Sequence, residues 1–133
     1  MANPNIVNVT SIYGNTAYVI PASTSVSVAW TYNGTTTLTG LTPASGTVNR
    51  VTSIVVSNVT GSAATATVAI ANNATYGSGT PYYIAYQISV PPNASVIVTD
   101  KTSSFYVTES QSVGVISGTS SALNYTATFE AIT

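Results

Sequence analysis

The chain has no cysteine and no histidine, and only five charged side chains among its 133 residues. Without cysteine there is no disulfide staple, no thiolate metal site and no thiol catalysis, and the redox compartment stays open. Without histidine the commonest general base, the commonest zinc ligand and the usual Ser-His-Asp and Cys-His systems are gone. Charged residues make up 4% of the chain, against roughly a quarter in ordinary domains. One Arg50 and one Lys101 cannot form the basic stripe that nucleic acid requires, nor an attraction to anionic membranes. No apolar run approaches the roughly 18 residues of a membrane span. The opening MANPNIVNVTSIYG lacks the positive and apolar regions of a signal peptide, so the expectation is a protein made and used without export.

What the chain does have is apolar bulk. Hydrophobic residues are 44% and the mean hydropathy is +0.33, enough to fold around a packed core despite the abundance of Ser and Thr. Solubility then depends on hydroxyls and amides, a weak defence against association. Such a surface suits contact with other protein. The length fits one domain, residues 1–133, and neither a linker nor a strict internal repeat divides it.

Period-two alternation runs from end to end. In VSVAWTY it places Val26, Val28, Trp30 and Tyr32 on one face. In YYIAYQISV it places Tyr82, Ile84, Tyr86, Ile88 and Val90 opposite Tyr83, Ala85, Gln87 and Ser89. In LNYTATFEAI it places Leu123, Tyr125, Ala127, Phe129 and Ala131 opposite Asn124, Thr126, Thr128 and Glu130. Further strands are expected over residues 5–13, 16–20, 48–59, 64–71, 95–99, 104–108 and 112–116, all rich in Val, Ile, Thr and Tyr. Turn signals fall between them, among them Tyr13-Gly14-Asn15, Asn33-Gly34, Pro91-Pro92-Asn93 and Gly118-Thr119-Ser120. Residues 50–73 read as a hairpin turning at 59–63, with the strand over 48–59 placed centrally. Many short strands at this spacing predict an all-β, antiparallel β-sandwich, immunoglobulin-like or jelly-roll-like. Since Lys hardly occurs, its edges must be short and twisted or covered by neighbouring subunits.

Chemistry is hard to assemble from what remains. A glycosidase needs two carboxylates about 5–10 Å apart. Asp100 and Glu109 flank the segment SFYVT, which in extended form separates them too far at about 3.3 Å per residue. Glu130 falls on a polar parity and reads as a solvated side chain. No loop has the carboxylates of a calcium site. Lys101 with Ser103 or Ser104 has the residue types of a Ser/Lys dyad, but a lysine on an exposed turn stays protonated. The expectation is no enzymatic activity, no metal and no cofactor. Six Asn-x-Ser/Thr triplets, at Asn8, Asn33, Asn58, Asn73, Asn93 and Asn124, are what an Asn-, Ser- and Thr-rich chain yields by chance, and Asn8 and Asn58 fall within expected strands. Among the nine tyrosines, Tyr82, Tyr86 and Tyr125 share apolar parities and are expected in the core. Tyr83 and Tyr106 do not, and are the candidates for partner contact. Asp100 and Lys101 form a turn that is solvated or meets the partner.

The segments ANPNIVNVTSIYG, RVTSIVVSNVTGSAATATVAI, YYIAYQISVPPNASVIVTDKTSSFYVTESQSVGVISG and NYTATFEAI together resemble small virion structural proteins of tailed phages, especially cyanophages and other marine phages. The likeness covers nearly the whole chain. It rests on a Pro-containing turn, a short strand ending in a DK corner, an aromatic-rich strand, a Glu-containing turn and a last strand ending near FEAI. It implies a virion protein, assembled in the host cytoplasm, that decorates the capsid by binding the major capsid protein as a homo-oligomer or lattice-bound array. The alternatives are a neck, tail or fibre subunit, or a module whose tyrosines bind host polysaccharide. A pilus-like subunit donating a strand through Ile6, Val9 and Ile12 is a further reading, weakened by the missing signal sequence and cysteines.

Overall fold

Alternating β-branched or aromatic and small polar residues give each segment one apolar face, and such ribbons are stable only when two of those faces meet. The computed structural model describes Pro4 and residues 7–133. Its strands are β1 (Ile12–Val19), β2 (Ala29–Tyr32), β3 (Thr36–Thr39), β4 (Val48–Asn58), β5 (Ala64–Ala71), β6 (Pro81–Val90), β7 (Ser95–Thr99), β8 (Phe105–Val107), β9 (Ser112–Ser117) and β10 (Leu123–Ile132). They form an antiparallel sandwich of two sheets. The large sheet has the order β3-β2-β1-β10-β4-β7, with β8 also paired to β4, and the small sheet has the order β6-β5-β9. The core between them holds Trp30, Tyr125, Phe129, Leu123 and Ile54 from the large sheet and Val68, Val113 and Val115 from the small one.

The central strand β4 lies between β10 and the β7/β8 edge, as expected. Its mixed parity has a local cause. Thr128 pairs with Ser53 but Phe129 with Val51, so Thr52 is an extra residue in a bulge. The bulge flips parity, and Val51, Ile54 and Val56 all reach the core.

Several expectations need correction. Residues 50–73 are not a hairpin: β4 belongs to the large sheet and β5 to the small one. Asn58 holds that crossing. Its Nδ2 donates to the carbonyls of Ser62 (2.8 Å) and Val90 (3.0 Å), and its Oδ1 accepts from the N–H and Oγ1 of Thr60 (2.9 and 2.7 Å). A satisfied buried amide at that corner replaces the ladder a hairpin would have provided. Gly14 does not turn the chain but lies inside β1, which runs through both segments expected to be separate. Residues 7–11 are not strand, and positions 5 and 6, including Ile6 of the strand-donation reading, lie outside the described residues. Strand β3 was not foreseen: Asn33 and Gly34, with φ of 50° and 83°, turn β2 back onto it, as an Asn-Gly pair does.

Strand edges are managed within the chain. β3, β7 and β8 are short. β9 is covered on its open side, where Val113 and Val115 bond to the backbone of Gly40 and Ser27 and the Trp30 indole donates to the Val113 carbonyl at 3.2 Å. β6 is broken by two irregularities against β5. Short, covered or bulged edges resist strand addition, so edge protection here does not require neighbouring subunits.

Candidate partner-binding surface

The outer face of the small sheet is built from very small residues. Core-directed positions of β5 are Ala64, Ala66 and Val68, which leaves Thr67, Ala69 and Ala71 facing away, alongside Ser112 and Gly114 of β9. Side chains this small leave space for large rings above them. A Cβ on Gly114 would lie 2.7 Å from Cε2 of Tyr76 and 2.7 Å from Cγ2 of Val26, so the Tyr76 ring rests directly on the backbone of β9. Tyr76 comes from a single 3-10 turn, Tyr76–Ser78, between β5 and β6. Burial pushes its phenol pKa up, and neighbouring Tyr83 adds to the shift.

Tyr83 and Tyr86 continue this layer. Their rings meet edge to face with centroids 4.7 Å apart, and they are 52% and 59% exposed. Tyr83 pairs with Ala69, on the parity that faces away from the core. The bulge that admits Tyr86 leaves the Gln87 N–H without its ladder carbonyl, and the Thr67 hydroxyl accepts it at 3.0 Å. Gln87 has φ of 49° there, a left-handed conformation that only a local constraint sustains. Tyr82 and Tyr86 are not core residues, contrary to expectation, for both are more than half exposed: Tyr86 falls in the irregularity of β6 between Ala85 and Ile88, whereas Tyr82 keeps the inward parity opposite Ile70 and stands near the open end of the strand. Tyr125 is core as expected, and its hydroxyl reaches from the large sheet to the Ile116 carbonyl of the small one at 2.7 Å.

The four expected contact residues do not form one surface. Tyr106 is exposed, but it pairs with Arg50 on the outer face of the large sheet, on the far side of the sandwich from Tyr83. Asp100 and Lys101 lie at the corner joining β7 to β8, close in sequence to Tyr106. Asp100 caps the 3-10 turn Lys101–Ser103: its Oδ1 accepts from the N–H and Oγ1 of Thr102 (3.0 and 2.6 Å), while Ser103 Oγ accepts from the Asp100 N–H at 3.1 Å. These bonds, led by the Thr102 hydroxyl, hold the Asp100 carboxyl below its usual range. Serine caps about as well as aspartate, so the corner's geometry does not demand a carboxylate.

The other charges are also engaged structurally. Glu130, expected to be simply solvated, stands opposite Arg50 in the β10/β4 register and pairs with it at 3.7 Å. Glu109 Oε1 accepts the Gly46 N–H at 2.6 Å. Among the described residues no three His, Cys, Asp or Glu side chains gather where they could hold a metal ion. The tyrosine layer is partly legible in the sequence, since Tyr83 lies opposite the apolar parity of its strand. Its remainder was hidden by the bulges, and only the run of Ala, Thr and Gly at 67, 69, 71 and 114 hints that rings could lie flat there. Comparison with protein-family models, curated proteins and solved structures yields no match to this chain.

Proposed function

We propose that the chain is a non-enzymatic virion structural protein of a tailed phage, a capsid decoration protein that docks on the major capsid protein through the tyrosine-covered outer face of its small sheet. The carrying observation is the layer of Tyr76, Tyr83 and Tyr86, partly exposed on a protein with almost no surface charge. The resemblance of its segments to small tailed-phage virion proteins supports the same reading. Tyrosine supplies large contact area at low entropy cost, with a hydroxyl for the polar rim. Covering a half-exposed ring removes about 100 Å² from water, worth about 2.5 kcal/mol before association costs. A single contact of this size is modest, and repetition over a lattice makes it strong through multivalency. The bulged β6 disfavours strand addition, so docking is face-on.

The test is co-sedimentation with undecorated capsids followed by electron microscopy. The expected result is density on the head shell, with at least about tenfold weaker binding for Y83A/Y86A, the 1.4 kcal/mol equivalent, and an unchanged melting temperature. Density confined to the neck, tail or fibres, or full binding by the double variant, refutes decoration through this face.

A further inference from the structure

At one end, the inner face of the large sheet carries Tyr13 and Asn15 of β1, Ala131 of β10 and Asn49 of β4. There the loop after β3 curls over it and encloses an open pocket of about 280 Å³, whose wall and floor include Tyr13, Asn15, Tyr32, Asn49, Thr47 and Phe129. Tyr32 and Phe129 meet edge to face, centroids 6.1 Å apart. Tyr13 stands at the rim, 67% exposed, although its odd position on β1 faces inward with Asn15 and Ala17.

The pocket is preformed. Asn49, only 2% exposed, donates through Nδ2 to the Leu41 carbonyl at 2.9 Å and so pins the loop to β4. Leu41 itself is fully buried with φ of 53°, a conformation that a branched side chain keeps only when its surroundings impose it. Thr42 Oγ1 donates to the Gln111 carbonyl at 2.7 Å, and Thr47 and Thr133 hydroxyls meet at 3.2 Å. Asn15 Nδ2 donates to the Tyr13 carbonyl at 3.2 Å.

The lining selects a ligand class. Among the described residues no charged side chain lines the pocket, so an ionic ligand would find no side-chain counter-charge there. The rest of the lining, Leu38, Pro43, Ala44 and Ala131, is apolar, and the Asn15 and Thr47 side chains retain oxygen lone pairs that can accept from a ligand hydroxyl. Aromatic rings beside neutral amides and hydroxyls suit a molecule with both C–H faces and hydroxyl edges. We infer that this pocket binds one ring of a neutral saccharide above the Asn49 amide, its C–H face on Tyr13 or Tyr32 and its hydroxyls toward Asn15 and Thr47. The volume, near the lower end of small-molecule sites, admits a single ring better than a longer chain. The inference does not rest on the assembly reading, and uses none of the residues of the tyrosine layer.

The test is a titration of the 15N-labelled full chain with glucose, galactose, mannose and N-acetylglucosamine, each to tens of millimolar, read at the side-chain amides of Asn15 and Asn49. The expected result is saturable shifts at both amides with at least one sugar, at a dissociation constant of about 1 mM or a few times that. Y13A, altering an exposed rim residue, should weaken it about tenfold or more, and Y83A should leave it unchanged. No shift with any of the four sugars, shifts centred on Tyr83 and Tyr86, or undiminished binding by Y13A overturns the inference. Loss of capsid binding in Y83A/Y86A with sugar binding retained separates the two proposals.

Discussion

Replacing Tyr125 with phenylalanine removes one oxygen from the middle of the sandwich and leaves the ring. That oxygen donates to the Ile116 carbonyl and so ties β10 of the large sheet to β9 of the small one. Losing a buried hydrogen bond of this kind costs about 1 to 2 kcal/mol at neutral pH. The pH dependence is more diagnostic. Burial raises the Tyr125 phenol well above the ordinary range, with the Thr67 backbone pulling weakly the other way, whereas in the unfolded chain it titrates near pH 10. The unfolded state therefore releases its proton first, so this contribution is fully present below pH 10 and is lost as pH rises beyond it. By pH 11 the loss from this one group is about 1.4 kcal/mol, and its slope cannot exceed that amount per pH unit. Urea denaturation of wild type and Y125F at pH 7, 9, 10 and 11 measures both effects. The variant should be less stable at pH 7, decline less steeply above pH 10, and approach the wild type near pH 11. Tyr76, also raised, adds to the decline in both proteins and does not affect the difference. Parallel stability curves would refute the placement of Tyr125 as a neutral, buried donor between the sheets.

Two other substitutions probe the features that organise the surface and the crossing between sheets. Gly114→Ala places a methyl group against Tyr76 and Val26 and should destabilise by about 1 to 3 kcal/mol, as overpacking does. Thermal denaturation should show a clearly smaller cost for the same change in a Y76A background, and additivity within about 0.5 kcal/mol would show that the ring does not rest on Gly114. Asn58→Ala strips partners from two carbonyls and the Thr60 N–H, and should lower the free energy of unfolding by about 3 kcal/mol. In a urea titration the midpoint should fall with an unchanged slope, and a loss under about 1 kcal/mol would mean that water serves the corner equally well.

The boundaries of β5, β7 and β10 follow directly from local pattern, because each strand keeps one uninterrupted alternation between clear turn signals. The same pattern misassigns Tyr86, whereas Tyr82 keeps its inward parity and is exposed near the end of its strand. A bulge inserts one residue, and parity read beyond it is inverted, yet nothing in YYIAYQISV marks where β6 slips against β5. Thr52 does the same in β4, where an apparent two-faced strand proves to be one face with a break. The crossing at 59–63 was equally hidden, since a turn of that composition joins strands within a sheet or between sheets, and the choice depends on Asn58 finding the carbonyl of Val90, 32 residues away. Tyr83 was legible as an outlier of parity. The pocket was not, because its walls come from β1, β2, β3, β4, β10 and the loop after β3.

By itself the sequence determined that the chain is all-β, that chemistry requiring thiol or imidazole is excluded, and that its surface is nearly uncharged. Each of these depends on residue type and nearest neighbours, which composition and alternation carry in full. Only the tertiary structure decided which tyrosines are covered, which strands share a sheet, and where a pocket forms beside the larger one. Those outcomes depend on register between distant strands, and register is settled by the mutual fit of two faces that no single segment contains.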